Sequence, residues 1–187
     1  MTRANAYSGL LFVLFAIGCK SSPAKAPVLP DLSVRLQLFE AQSSDFAAFR
    51  SWPSHSIDAP PPDGSPHTTD LRTVFLNQAP PHGSTTFPVG TILVKTIHET
   101  ATAGDLSLDQ TFAMAKRGGN YNSGGATGWE WFELDITTDP PGIVWRGQQP
   151  PVGIVYSTVS AVDCNGCHAG ARANDFVQDP GFQLSDF

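Results

Sequence analysis

The pattern of apolar and polar positions changes character three times along the chain. It opens with an apolar run from Gly9 to Ile17, followed over 20–30 by Ser, Pro and Ala with no apolar period. Leu36, Phe39, Phe46 and Phe49 then recur at roughly helical spacing. Ser44 or Asp45 is placed to cap a second short helix and Pro53 to close it, so helix is predicted over 34–52, with a break near the cap. Beyond a Pro-rich loop the apolar residues contract into short β-branched and aromatic runs bounded by turn residues, at 71–76, 90–98, 111–116, 129–135 and 153–157. These predict five strands of a mostly antiparallel sheet. The polar segment GGNYNSGGATG, 118–128, reads as a long hairpin loop, with a flap on the substrate side as the other reading. There is no internal repeat. The fold class is α+β: a five-stranded, mostly antiparallel sheet with an N-terminal helix and a separate C-terminal segment.

The amino terminus changes the picture of where this domain works. Arg3, the apolar run and the small residues before Cys19 make a secretory signal. The run is too short for a bilayer, which takes roughly 20 apolar residues, so cleavage is expected rather than a permanent span. Ala16-Ile17-Gly18-Cys19 resembles a bacterial lipobox, with Ala16 where Leu is usual; Cys19 then becomes a lipidated first residue. An ordinary cleaved signal with an incidental cysteine stays open. The expected organisation is a signal at 1–18, a flexible stalk at 19–33 and a domain at 34–187, exported to the cell envelope and lipid-anchored to a bacterial membrane. After cleavage 169 residues remain, enough for one domain with a sizeable core. A net charge of −6 and the lack of any Lys/Arg cluster argue against nucleic acid or an anionic lipid surface as partner.

One motif carries chemistry. Cys164-Asn165-Gly166-Cys167-His168 has the spacing for two thioether bonds to haem vinyl groups, with the adjacent histidine as axial iron ligand. A disulfide in an exported chain needs no histidine. A redox dithiol is expected at a helix start in a βαβ unit, which the strand pattern lacks. Zinc needs two more ligands, and His82 and His98 are distant in sequence. One covalent haem c is the expectation, and the disulfide stays open. Only 19 residues follow His168, none a methionine, and the one internal methionine, Met114, lies in a predicted strand. An open or weakly ligated sixth position is therefore expected, which favours binding or turnover of a small molecule over simple electron transfer. Helical cytochromes c′ also carry a late motif, but a strand-patterned chain contradicts a four-helix bundle.

With strands first and a single haem motif last, the chain resembles the cytochrome P-460 and cytochrome c′-beta family. The resemblance runs from about Phe49 to Val177. It rests on Phe49-Arg50-Ser51-Trp52, on Leu71-Arg72-Thr73-Val74-Phe75-Leu76, and on Phe87-Pro88-Val89-Gly90-Thr91-Ile92-Leu93-Val94-Lys95. Gly128-Trp129-Glu130-Trp131-Phe132 and, after the motif, Asp175-Phe176-Val177 complete it. It implies oxidation of hydroxylamine or handling of nitric oxide, with carbon monoxide as a further ligand. It also implies a homodimer through sheet packing and an electron partner the sequence does not name. Lys95 occupies the place of a lysine that P-460 proteins bond to the haem ring. Independently, strand alternation puts Lys95 on one face with Thr91, Leu93 and Ile97, where a lysine needs explaining. It is either that cross-link or an edge lysine with its head in water. Arg72 matches a family arginine near the haem, placed to bind a propionate or orient a ligand. The family's distal carboxylate falls at Ala115 here, which counts against an efficient oxidase; Glu99 and Glu133 are the substitutes at hand. Phe75 and Phe87 are candidates to line the ligand side, and Trp129, Trp131 and Phe132 to fill the core or wall the haem. Three functions compete: a haem enzyme of hydroxylamine chemistry, a non-enzymatic gas-binding haem module, and a haem-free envelope lipoprotein with a Cys164–Cys167 disulfide.

Overall fold

The computed structural model of the chain describes residues 38–57, 71–98, 110–154 and 163–187. The expectations for the leader, Cys19, the stalk, residues 34–37, Glu99 and residues 155–157 lie outside them. Within them, six antiparallel strands lie side by side in chain order: β1 (Ser54–Ile57), β2 (Leu71–Leu76), β3 (Ile92–His98), β4 (Gln110–Lys116), β5 (Trp129–Asp135) and β6 (Gly142–Gly147). This is an α+β chain only in a weak sense. The one α-helix among the described residues is α1 (Cys164–His168), a single turn.

Four of the five expected strands are present, and two further strands flank them. β1, Ser-His-Ser-Ile, is a polar edge strand whose alternation of exposed and half-buried positions leaves no apolar run to read. β6 begins at Gly142, directly after Pro140-Pro141, and the turn chemistry of that sequence masked the strand behind it. The strand expected at 153–157 is not found at 153–154, which form a turn and an irregular residue. The expected N-terminal helix is replaced by an extended stretch and two 3-10 turns, Ser43–Phe46 and Phe49–Ser51. Phe39 N–H donates to Arg117 O at 3.0 Å, so tertiary pairing overrides helical spacing here. The cap is Gln42, whose N–H donates to Asp45 Oδ2 at 2.7 Å.

Directly opposed residues share a face, so the register sorts the sheet into two surfaces. One surface carries Phe75, Ile92, Val94, Ala113, Ala115, Phe132 and Leu134 and packs on Phe46 and Phe49 from the N-terminal turns. Edge-to-face pairs Phe46–Phe132 and Phe49–Phe75, each at 5.3 Å between centroids, hold this side. Full burial of each phenyl ring is worth about 1.5–3 kcal/mol. Glu130 closes the end of this layer. Burial pushes its carboxyl up, but Arg146 Nη2 at 2.7 Å and Arg117 Nη1 at 3.1 Å outweigh that and hold it below the ordinary range.

The other surface carries Val74, Leu76, Leu93, Met114, Trp129, Trp131 and Trp145 and is covered by the C-terminal segment through Phe176, Val177, Phe182 and Leu184. The motif turn belongs to this segment, so the sheet presents Lys95 and the motif to one another. Lys95 is opposed by Val74 and Phe112, and Phe112 by Glu133, which places all of them on the motif side.

Candidate functional site

The motif turn is built by polar side chains before any cofactor is considered. Asp163 caps α1, its Oδ1 accepting Gly166 N–H at 2.6 Å. Asn165, between the two cysteines, is the hub. Its Oδ1 accepts from Asn122 Nδ2 at 2.8 Å, Trp131 Nε1 at 3.0 Å and Ala126 N–H at 3.1 Å. Its Nδ2 donates to Gln148 O at 3.0 Å and Asn122 Oδ1 at 3.1 Å. The polar loop 118–128 joins the antiparallel pair β4 and β5, as expected of a hairpin loop, and its Asn122 and Ala126 also cradle the motif. Gly125 belongs to that design, because a Cβ there would stand 2.2 Å from Asn165 Cγ. Gly125→Ala is expected to displace Asn165 and to cost about 1–3 kcal/mol, as overpacking does. Thermal unfolding checks it, with Gly124→Ala, which meets open space, as the control.

His168 is aimed by its surroundings. Its Nδ1 lies 2.7 Å from Phe176 O and its ring packs on Trp131 at 4.6 Å between centroids. A carbonyl only accepts, so Nδ1 carries the proton and the Nε2 lone pair is left for a metal. Burial, followed by the Phe176 bond that opposes it and by Lys95, leaves the pKa at about 4, so the imidazole is neutral at pH 7. That carbonyl points correctly because Asp175 and Phe176 both sit at positive φ, 50° and 69°. Such residues cost of order 1–3 kcal/mol each and need support. Three bonds supply it: Lys116 Nζ to Asp175 Oδ1 at 2.7 Å, Phe87 N–H to Asp175 Oδ2 at 2.9 Å and Trp129 Nε1 to Asp175 O at 2.7 Å.

Cys164 and Cys167 are both free thiols and half-buried. Burial raises the Cys164 thiol to about 11 despite the Lys95 ammonium nearby. A redox dithiol needs the opposite shift. Among the described residues no three His, Cys, Asp or Glu gather as a metal-ligand group of the kind that a tetrahedral zinc site would use.

Beside the motif, the sheet is incompletely covered. Lys95, Phe112 and Glu133 form one cross-strand row in the middle of the sheet, and all three are half-buried where their flanking rows are buried. Burial lowers the Lys95 ammonium to about 7, with repulsion from Arg72 adding to it, while Cys164, Cys167 and Asp179 oppose. Lys95 is thus strongly desolvated while part of its side chain stays accessible. Its Nζ lies 5.8 Å from the Phe112 ring centroid. Arg72, 7% exposed, points to the same surface from β2. Lys95, Arg72, the two cysteines and His168 are thus brought together, and Lys95 is no sheet-edge lysine.

Three expectations are corrected. Ala115 pairs with Ile92 and Glu130 and faces the far surface, so it is not the position a cleft carboxylate would occupy on β4. That position belongs to Phe112. Phe75 faces away from the motif onto Phe49, and Phe87 is buried against Trp129 at 6.0 Å. Phe132 fills the core on the far side, one of the two roles expected of it, while Trp131 walls His168. Glu133 does face the cleft side, its Oε2 accepting Trp145 Nε1 at 2.8 Å. Sequence reasoning missed Asn165, Phe112, Lys116 and Asp179; for Phe112, period-two alternation was available, but the strand register was not. No helix among the described residues is long and apolar enough to cross a membrane. Compared with known proteins, the chain matches no family model and no curated protein.

Proposed function

We propose that the chain is an exported, lipid-anchored c-type haem protein that binds or oxidises small nitrogen compounds, hydroxylamine or nitric oxide. The observation that carries this reading is the pairing of a neutral, Nδ1-tethered His168 behind two free thiols with a desolvated Lys95 on the adjoining cleft. Cys164 and Cys167 would hold one haem c by thioethers, and His168 Nε2 would be the axial ligand. When bound, the haem would supply an iron centre able to accept a ligand or electrons.

The residues around it have separable tasks. Phe176 O fixes the imidazole plane, and Trp131 blocks its rotation. Arg72 supplies positive charge for a propionate or an anionic ligand. Lys95, about half deprotonated at pH 7, could present a free amine to the haem ring or, as the ammonium, donate to a ligand. Phe112 and Met114 make the β4 side of this surface apolar, which favours a second reading, a gas-binding module for nitric oxide or carbon monoxide.

Lys95→Met separates the two. The enzyme reading expects a strongly red-shifted reduced Soret band and hydroxylamine turnover with an artificial electron acceptor, both lost in the variant. An unchanged spectrum with no turnover in either protein leaves gas binding alone.

A further inference from the structure

A second carboxylate reaches this surface from the C-terminal segment. Asp179 is 6% exposed. Its Oδ1 accepts Gly181 N–H at 2.6 Å and lies 3.2 Å from His55 Nδ1 on β1. Gly181 permits that approach, since a Cβ there would stand 2.2 Å from His55 Cγ. Asp179 Oδ2 is buried with no hydrogen-bond partner among the described residues. A buried acceptor left so costs about 1–3 kcal/mol and asks for a role.

The charged groups facing Asp179 are His55 from β1, Arg72 from β2 and Lys95 from β3. Its negative charge acts on both cleft cations, raising each against the desolvation that lowers them. The His55 side chain is 39% exposed, so the pair spans from the cleft cations to solvent. Glu133 is the competitor, but its Oε2 already accepts from Trp145 Nε1 at 2.8 Å.

We propose that Asp179 is the proton acceptor of the cleft and that His55 connects it to solvent. The proposal rests on the haem-binding reading. A weak acid that binds as its anion breaks its own bond to hydrogen and keeps the electron pair. The proton forms a new O–H bond at Asp179 Oδ2; rotation of the carboxyl group then carries that O–H to the side of His55 Nδ1, which lies 3.2 Å from Oδ1, accepts the proton and releases one to water from the exposed edge of its ring. No electron moves in this step. Burial raises the Asp179 pKa, against the Gly181 N–H bond and the neighbouring His55 imidazole that lower it, so the group titrates above ordinary aspartates.

Cyanide tests this, because hydrogen cyanide must lose one proton to bind ferric haem. Association is followed in the haem-loaded protein by the Soret shift across the acid to neutral range. Below the Asp179 pKa the acceptor is protonated and association is slow; the rate constant rises through that pKa to a plateau. Asp179→Asn removes the rise and lowers the plateau about 100-fold, the size of a general-base contribution. His55→Gln removes a group that lowers the Asp179 pKa, so the rise moves to higher pH with the plateau kept; this edge-strand variant decides the matter if Asp179→Asn does not fold. Three results would overturn the proposal: a rise in Asp179→Asn that is merely displaced to lower pH, as Lys95 acting as base predicts; loss of the rise in Glu133→Gln; or a rise in His55→Gln that has not moved. A protein that takes up haem and shows a pH-flat rate fails this proposal alone, whereas one without haem fails the haem-binding reading as well.

Discussion

Lys116→Met lowers the free energy of unfolding by about 3–5 kcal/mol, the cost of leaving one partner of a buried ion pair uncompensated. Lys116 and Asp175 are both largely buried and 2.7 Å apart, and methionine keeps the volume of the stem while removing the charge. The ammonium also donates to Thr127 O at 3.2 Å and sits 4.9 Å from the Trp129 ring centroid. Asp175 in turn carries the left-handed backbone that directs Phe176 O to His168. For a domain of this size the loss corresponds to a fall in Tm of roughly 10 °C, measured by thermal denaturation followed by circular dichroism. Adding Asp175→Asn to Lys116→Met recovers part of the loss, since the stranded charge is gone while the side chain still accepts Phe87 N–H. A Lys116→Met protein as stable as the parent would mean that the anchor of the C-terminal segment lies elsewhere.

The Cys164→Ser, Cys167→Ser double variant yields a folded, colourless protein. The motif turn is held by Asp163 and Asn165 and not by sulfur, so its removal leaves the capping bond and the Asn165 network in place. The sheet and its two apolar layers do not use Cys167, and Cys164 only borders one of them. Secondary structure by circular dichroism is therefore expected to match the parent, while haem that survives denaturation falls from one per chain to none. Single variants retain one thioether each. Covalent haem persisting in the double variant would place its attachment outside the motif.

What could be read in the sequence followed from short-range rules. Four strands were legible because Leu71–Leu76, Ile92–His98, Gln110–Lys116 and Trp129–Asp135 are β-branched or aromatic and end at turn residues. The Cys164–His168 spacing could be picked out because it is local in the chain. Strand alternation put Lys95 on one face with Leu93 and Ile97, and the pairing with Val74 and Phe112 agrees with it. The illegible parts depended on register. Whether β4 offers Ala115 or Phe112 to the cleft is decided by pairing across a connection whose length does not fix it. Ser54–Ile57 lacks the apolar alternation of a strand because it is an edge, and 34–52 carries helical spacing that pairing of Phe39 with Arg117 overrides. Asn165 escaped notice because the position between the cysteines is free to vary in the spacing rule, and its role comes from Asn122, Ala126 and Trp131 folding onto it.

The most direct test of the haem-binding reading is the absorption spectrum, oxidised and dithionite-reduced, of protein matured in a periplasm equipped for cytochrome c attachment, taken with its intact mass. The account predicts a reduced c-type spectrum and a mass increased by one haem that denaturation does not remove. A colourless protein whose mass is two hydrogens below the free-thiol chain would show Cys164 and Cys167 joined as a disulfide and would contradict it.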